Sequence, residues 1–171
     1  MRKVAGFFLA LVMFIVSVTF ITSCAKDEDP EEEYYMRFKA NGKLIEYTNQ
    51  LGLSAGFSQN GNQHVGTISG WNDASSNFSF LLYNLAPITE NTYSGYSFST
   101  EGTVGVLLVH KEPDSGKVFS SGVTPDYDAM VTISEIDGTA VKGTFSGLIK
   151  ASGLPDINIT EGSFFVKRVL N

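Results

Sequence analysis

The sequence predicts an all-β protein, and three observations point to an antiparallel β-sandwich of about nine strands. Apolar and polar residues alternate with a period of two, as in residues 78–83 and 141–149, and no segment after residue 34 shows the period of an amphipathic helix. Turn-forming residues separate these segments at short intervals. Glycine is abundant (17 residues) and only 18% of residues are charged, which is typical of a turn-rich globular protein. A small closed β-barrel is the alternative.

The first 24 residues have the layout of a lipoprotein leader. Arg2 and Lys3 precede an almost wholly apolar stretch, residues 4–21, which small polar residues follow. An uncleaved membrane anchor is the competing interpretation, because this stretch is just long enough to cross a bilayer. Ile21-Thr22-Ser23-Cys24 resembles a bacterial lipobox, in which the cysteine thiol is alkylated with diacylglycerol. We therefore predict a lipoprotein signal peptide over residues 1–23 and a lipid on Cys24, the only cysteine of the chain.

Residues 24–33 are predicted to be the lipidated cysteine and an acidic tether. Self-repulsion and the lack of apolar side chains keep such a run from folding. Its first charged residues, Lys26, Asp27, Glu28 and Asp29, resemble the acidic export signal of surface lipoproteins in the Bacteroidota. That resemblance implies an outer-membrane protein that faces the medium. A plain spacer that repels the anionic membrane surface is the alternative.

Residues 34–171 are predicted to form one all-β domain, since their number suits a single core. Asn41-Gly42 is a strong hairpin signal, because both residues tolerate positive φ. Alternation predicts that Phe78, Phe80 and Leu82 share a buried face, and residues 129–133 and 141–149 repeat this pattern. Residues 104–109 are apolar on both faces, so this strand is expected at the centre of the sheet, covered on both sides or offering one apolar face to a ligand. Further turns are predicted at residues 60–62, 113–116, 137–138 and 153–156.

Three segments of the C-terminal half carry a family resemblance. Residues 131–135, 141–147 and 159–164, with the paired "GTF" and "GSF" sequences, look like a recurring pattern in small Bacteroidota lipoproteins. The hairpin at residues 38–43 looks like the opening of the same domain. The resemblance implies a compact β domain in the cell envelope, and it brings no known activity, ligand or catalytic residue.

Residues that could support catalysis have other interpretations in their sequence context. The chain has no nucleophile-elbow or phosphate-loop motif. His64 and His110 are separate strand-end histidines, for which hydrogen bonding is the commoner role. Asp126 and Asp128 are expected to cap a turn. Glu135 and Asp137 could be an acid pair as in a glycosidase, but Asp137 precedes Gly138 and is expected to cap that turn. We therefore predict no catalytic residue, no metal site and no cofactor beyond the lipid.

Aromatic residues provide the candidate ligand site. Trp71 precedes Asn72 and Asp73, and Tyr93, Tyr96 and Phe98 lie among small residues. Flat rings beside amides and carboxylates suit carbohydrate, whose apolar C–H faces stack and whose hydroxyls need partners. Packing of these rings in the core or across strands is the alternative.

The predicted function is therefore a lipid-anchored binding module of the envelope, without catalysis. Its expected partners are the membrane, through the lipid, and a polysaccharide or another envelope protein. The net charge of −6 argues against nucleic acid. The alternative is a structural component of the envelope or of an appendage, for which residues 163–170 would be the strand to exchange.

Overall fold

A computed structural model describes residues 33–113, 115–122 and 129–170 of the chain. These residues form strands and turns without helix, which confirms the predicted all-β class. The predicted signal peptide, Cys24 and residues 26–29 lie outside the described residues. No helix within the described part is long and apolar enough for a membrane span.

Strands and short turns follow one another along the described ranges. The strands are β1 (Tyr35–Ala40), β2 (Lys43–Tyr47), β3 (Ser54–Asn60), β4 (Gln63–Asp73), β5 (Ser76–Asn84), β6 (Asn91–Ser94), β7 (Tyr96–Ser99), β8 (Gly102–Lys111), β9 (Val118–Ser120), β10 (Met130–Ile136), β11 (Ala140–Ile149) and β12 (Ile157–Val169).

The 12 strands belong to one mixed sheet with the order β6-β10-β11-β12-β3-β4-β5-β8-β7. In addition, β1 pairs with β12 and β2, and β9 pairs with β8. All pairs are antiparallel except β12 with β3, where residues 167–169 run parallel to residues 54–56. The described part of the structure has 12 strands where the sequence predicts about nine, and it adds one parallel pair to the predicted antiparallel arrangement. The reason is local: β7 and β9 are too short to show alternation, and β12 is long enough to reach β3 beyond the end of β1.

The sheet is not closed into a barrel. Its two end strands, β6 and β7, do not pair with each other but follow one another in the chain through Gly95, whose φ is +65°. The Gly95 N–H donates to the Ala129 carbonyl at 3.1 Å, and the Gly95 carbonyl accepts from the Val106 N–H at 2.6 Å. The chain thus crosses at Gly95 from the β10 side of the sheet to the β8 side.

Phenylalanines from the two halves of the sheet meet in one core. Phe38 of β1 lies 4.5 Å from Phe78 of β5 between ring centroids, and Phe78 lies 5.1 Å from Phe145 of β11. Phe80 of β5 contacts Phe164 of β12 at 5.1 Å. These contacts between the two halves of the sheet give the sandwich-like arrangement. Each buried phenylalanine contributes about 1.5–3 kcal/mol relative to an exposed one.

The predicted alternation agrees with the structure, as do the turns at residues 41–42 and 137–138. Phe78, Phe80 and Leu82 are fully buried, and the inward residues of β10 and β11 follow the predicted pattern. Asn41 and Gly42 have φ values of +47° and +84°, as a type I′ hairpin turn requires. Asp137 caps its turn, since its Oδ1 accepts from the backbone N–H of Thr139 at 2.6 Å and of Ala140 at 2.8 Å.

One strand, β8, lies at a place that differs from the prediction, and β12 lies inside the sheet. The strand predicted at the centre, residues 104–109 in β8, lies next to the end of the sheet, between β5 and the short strands β7 and β9. One of its faces packs on the core and the other faces outward. Conversely, residues 163–170, predicted as the strand to exchange, belong mostly to β12, which has β11 on one side and β1 and β3 on the other. Both edges of β12 are therefore occupied.

Candidate functional site

The half of the sheet formed by β3, β4, β5, β8 and β7 turns one face to the core and the other away from it. We call the latter the outer face. Cross-strand register and alternation place its side chains in rows, such as Val65, Tyr83 and Tyr96, or Thr67, Leu81 and Leu107. The outer-face side chains are Ser54, Ser58, Val65, Thr67, Ser69, Trp71, Asn77, Ser79, Leu81, Tyr83, Tyr96, Phe98, Thr103, Leu107, Val109 and Lys111.

Lys111 is the one charged residue in this set, and it lies at one end. Its Nζ donates to the Ala74 carbonyl at 2.9 Å. The other outer surface, over β1, β11 and β12, carries several charges, including Arg37, Lys142 and an ion pair of Lys39 with Glu161 at 2.8 Å. The two sides of the molecule therefore differ sharply in charge.

Three rings of the outer face touch and form the aromatic cluster: Tyr83 from β5, and Tyr96 and Phe98 from β7. The ring centroids of Tyr83 and Tyr96 lie 5.5 Å apart, and those of Tyr96 and Phe98 lie 5.0 Å apart, both edge to face. Phe98 is 67% exposed. Burial, with a smaller effect of Tyr83, raises the pKa of Tyr96 above its ordinary value of 10.0, so this phenol stays neutral.

Trp71 lies on the same face but far from the aromatic cluster. Val65, the cross-strand neighbour of Tyr83, lies six residues from Trp71 along β4. At the rise per residue of a strand, this separation is about 20 Å. The indole is 40% exposed. The amide beside it, Asn72, accepts from the Thr48 N–H at 3.1 Å and donates to the Glu46 carbonyl at 2.9 Å.

Asp73, the second polar neighbour predicted for a ligand at Trp71, is also engaged locally. Its Oδ1 accepts from the Ser75 N–H at 2.7 Å. Hydrogen bonds from Ser75, first of all from its hydroxyl, lower the pKa of Asp73. Asn72 and Asp73 thus hold the loops at this end of β4, so Trp71 stands on the outer face without the polar partners that the sequence suggested.

Tyr93, the fourth ring predicted for a ligand, is 7% exposed and faces the core. Its hydroxyl donates to the Thr89 carbonyl at 3.0 Å and accepts from the Thr89 N–H at 2.9 Å. Tyr93 therefore does not belong to the aromatic cluster. Tyr83 takes its place, and the sequence carried a signal for it: alternation puts Tyr83 on the face of β5 opposite Phe78 and Phe80.

The two histidines are not brought together. His64 pairs with Asn84 and His110 pairs with Phe78, at positions six residues apart on β5. Within the described ranges, no group of three or more histidine, cysteine, aspartate or glutamate side chains is arranged to hold a metal ion. Asp126 and Asp128 lie outside those ranges.

His110 is an almost fully buried ionisable side chain at the end of the sandwich, at 1% exposure. Its Nδ1 lies 3.0 Å from the Asn77 carbonyl oxygen, and the rings of Phe38 and Phe78 lie within about 6 Å of it. Burial lowers the pKa of His110 below its ordinary value of 6.5, against smaller opposite effects of the Asn77 carbonyl and of Glu112.

This burial predicts a pH-dependent stability. As pH falls below 6.5, the unfolded chain gains a proton on residue 110 that the folded protein resists, so the free energy of unfolding falls. Above that pH the effect is absent. Urea unfolding between about pH 7.5 and about pH 5 measures the slope. His110→Asn should flatten it; an unchanged slope in that variant would contradict the assignment. Asp73 and Asp137 act in the same direction only at more acid pH, because their pKa values are lowered below 3.8.

Comparison with known proteins adds no relative: no family model, curated protein or solved structure matches the chain.

Proposed function

We propose that this chain is a lipid-anchored binding module of the cell envelope, which takes a neutral polysaccharide on its outer face and does not itself catalyse a reaction. The observation that carries the proposal is the aromatic cluster of Tyr83, Tyr96 and Phe98, in which Phe98 is exposed and the two tyrosines are half-buried, on a face with a single charged residue. The envelope location rests on the lipobox-like residues 21–24 and the acidic residues 26–29.

The physical match is with an uncharged sugar chain. Aromatic rings offer apolar surface to the C–H face of a pyranose, and a neutral phenol such as that of Tyr96 both donates and accepts hydrogen bonds. Serine and threonine hydroxyls continue along the neighbouring strands, for example at Thr67 and Ser69. An anionic polymer would find little to neutralise its charges here, because Lys111 is engaged at the far end of the face.

Thermal unfolding of the purified full-length chain with a panel of neutral polysaccharides tests the proposal, because a ligand of the folded state raises Tm. Phe98→Ala and Tyr96→Ala should each weaken binding about tenfold, the worth of one ring contact. Tyr35→Ala, an aromatic truncation on the charged side, is the matched control. Trp71→Ala reports separately on the other end of the outer face.

The outcomes distinguish a site at the aromatic cluster, a site at Trp71 and the absence of binding. A Tm shift that survives both Phe98→Ala and Tyr96→Ala but is lost in Trp71→Ala would move the site to the far end. No shift with any polysaccharide would contradict the proposal. Equal losses in Tyr35→Ala would show that the variants act through stability alone.

A structural role in the envelope is the second candidate, and one observation favours it. Among the described strands β7 pairs only with β8, and residues 96–99 contain neither charge nor proline. Edge strands usually carry such residues as protection against pairing with other chains. Concentration-dependent association in sedimentation that Ser97→Pro abolishes would favour this role, with β7 in place of the exchange strand predicted from sequence.

A further inference from the structure

A cleft opens beside His110 at the end of the sandwich, away from the aromatic cluster. We call it the His110 cleft. Its volume is about 200 Å³, and its lining includes Ala40, Ile45 and Ile157 as apolar walls and Lys43 and Glu112 as charged residues of opposite sign. The Ser76 hydroxyl also faces it, 3.0 Å from the hydroxyl of Tyr47. The space exceeds that of a single water several-fold and is smaller than a drug-sized pocket.

The imidazole of His110 can accept a hydrogen bond from within this cleft. A carbonyl oxygen only accepts, so the contact with Asn77 places the proton of the neutral ring on Nδ1 and leaves a lone pair on Nε2. Among the described residues, Nε2 has no hydrogen-bond partner in the protein. Every fully buried side-chain nitrogen of those residues does have a partner, so Nε2 is not fully buried. Nε2 therefore retains access to the cleft that His110 lines.

The known contacts of His110 use only one of its two ring nitrogens. Packing between Phe38 and Phe78 accounts for the burial of the ring, and the Asn77 carbonyl accounts for the Nδ1–H donor. The second ring nitrogen gains its use only if something donates to it. Apolar walls, the Ser76 hydroxyl, the Nε2 acceptor and one charge of each sign favour a molecule without net charge that has an apolar flank and hydroxyl donors.

We propose that the His110 cleft binds a small neutral polyol of the size of one sugar unit, which donates a hydroxyl hydrogen bond to Nε2 of His110. The Ser76 hydroxyl offers a second partner, and Ile45 packs against the apolar face of the ring. This site is separate from the outer face, so its existence does not depend on the aromatic cluster.

Nitrogen-15 NMR of the histidine rings in the full-length chain tests the proposal, with D-glucose, D-galactose and myo-inositol as probes. A bound probe should move the Nε2 signal of His110 and leave that of His64 in place. It should also raise Tm by about 3–5 °C near tenfold saturation. An oligosaccharide that ends in the same sugar is compared with the monosaccharide at equal molar concentration. A larger change in the Nε2 signal and in Tm with the oligosaccharide indicates that the cleft binds the end of a sugar chain, and a smaller change indicates that it binds the free sugar.

Two variants keep the test decisive. His110→Asn preserves a donor to the Asn77 carbonyl and removes the Nε2 acceptor, so the Tm shift should vanish. Ile45→Trp fills the cleft and leaves residue 110 a histidine, and should abolish both the Tm shift and the movement of the His110 signal. Tyr35→Ala, on the charged side and outside the lining of the cleft, should change neither. A wild-type His110 signal that stays fixed at saturating concentrations of every probe would overturn the proposal, as would a Tm shift that persists in His110→Asn and Ile45→Trp.

Discussion

Phe78→Ala should lower the free energy of unfolding by about 3–5 kcal/mol, the usual cost of deleting a buried phenylalanine. Phe78 is fully buried, and its ring contacts those of Phe38, Phe80 and Phe145 at centroid distances between 4.5 and 6.5 Å. These rings come from strands on both halves of the sheet, so the cavity would open at the place where the halves meet. Collapse around it is restricted, because each neighbouring ring is held by its own strand.

Urea unfolding of the variant measures this loss, and Phe98→Ala is its matched control. The same side chain is deleted there, but from a position 67% exposed, so the expected cost is below about 1 kcal/mol. Similar losses at the two positions would show that Phe78 is not the centre of the core described here. A changed slope of the free energy of unfolding against urea concentration would instead indicate that the folded or the unfolded state has a different compactness.

Gly105→Ala should be the most damaging of the small substitutions, with an expected loss of at least about 2 kcal/mol. Gly105 has a φ of +117°, which other residues rarely adopt. An added Cβ would lie 2.1 Å from the carbonyl oxygen of Gly95, a main-chain atom that cannot swing away. That oxygen accepts the hydrogen bond from Val106 that ties the crossing between β6 and β7 to β8.

Gly56→Ala is the control for this substitution. Gly56 lies in β3, and an added Cβ there meets nothing within 4 Å. Its effect on the free energy of unfolding should stay within about 0.5 kcal/mol. Gly105→Ala should also weaken any ligand binding at the aromatic cluster, since Tyr96 is paired with Gly105 across the strands. A Gly105→Ala protein as stable as Gly56→Ala would refute the close approach of these two strands.

Much of the candidate site could be read from alternation alone. Tyr96 and Phe98 have the same parity and do share the outer face, whereas Tyr93 has the opposite parity and is buried. Treating all three rings as one cluster overlooked this difference. Tyr83 could have been assigned to the outward side of β5 by the same rule, but that rule does not tell which strand lies beside it.

Local signals in the sequence suffice to predict the all-β class, the type I′ turn at Asn41-Gly42 and the inward phenylalanines, because these features depend on local backbone preference and on a period of two. The folded protein is needed to see that Tyr83 meets Tyr96 across Gly105, that β12 lies inside the sheet, and that Trp71 lies about 20 Å from the aromatic cluster. These features depend on sheet order and register, which come from non-local pairing. Residues far apart in the chain come into contact only after the strands between them have paired in the correct order and register.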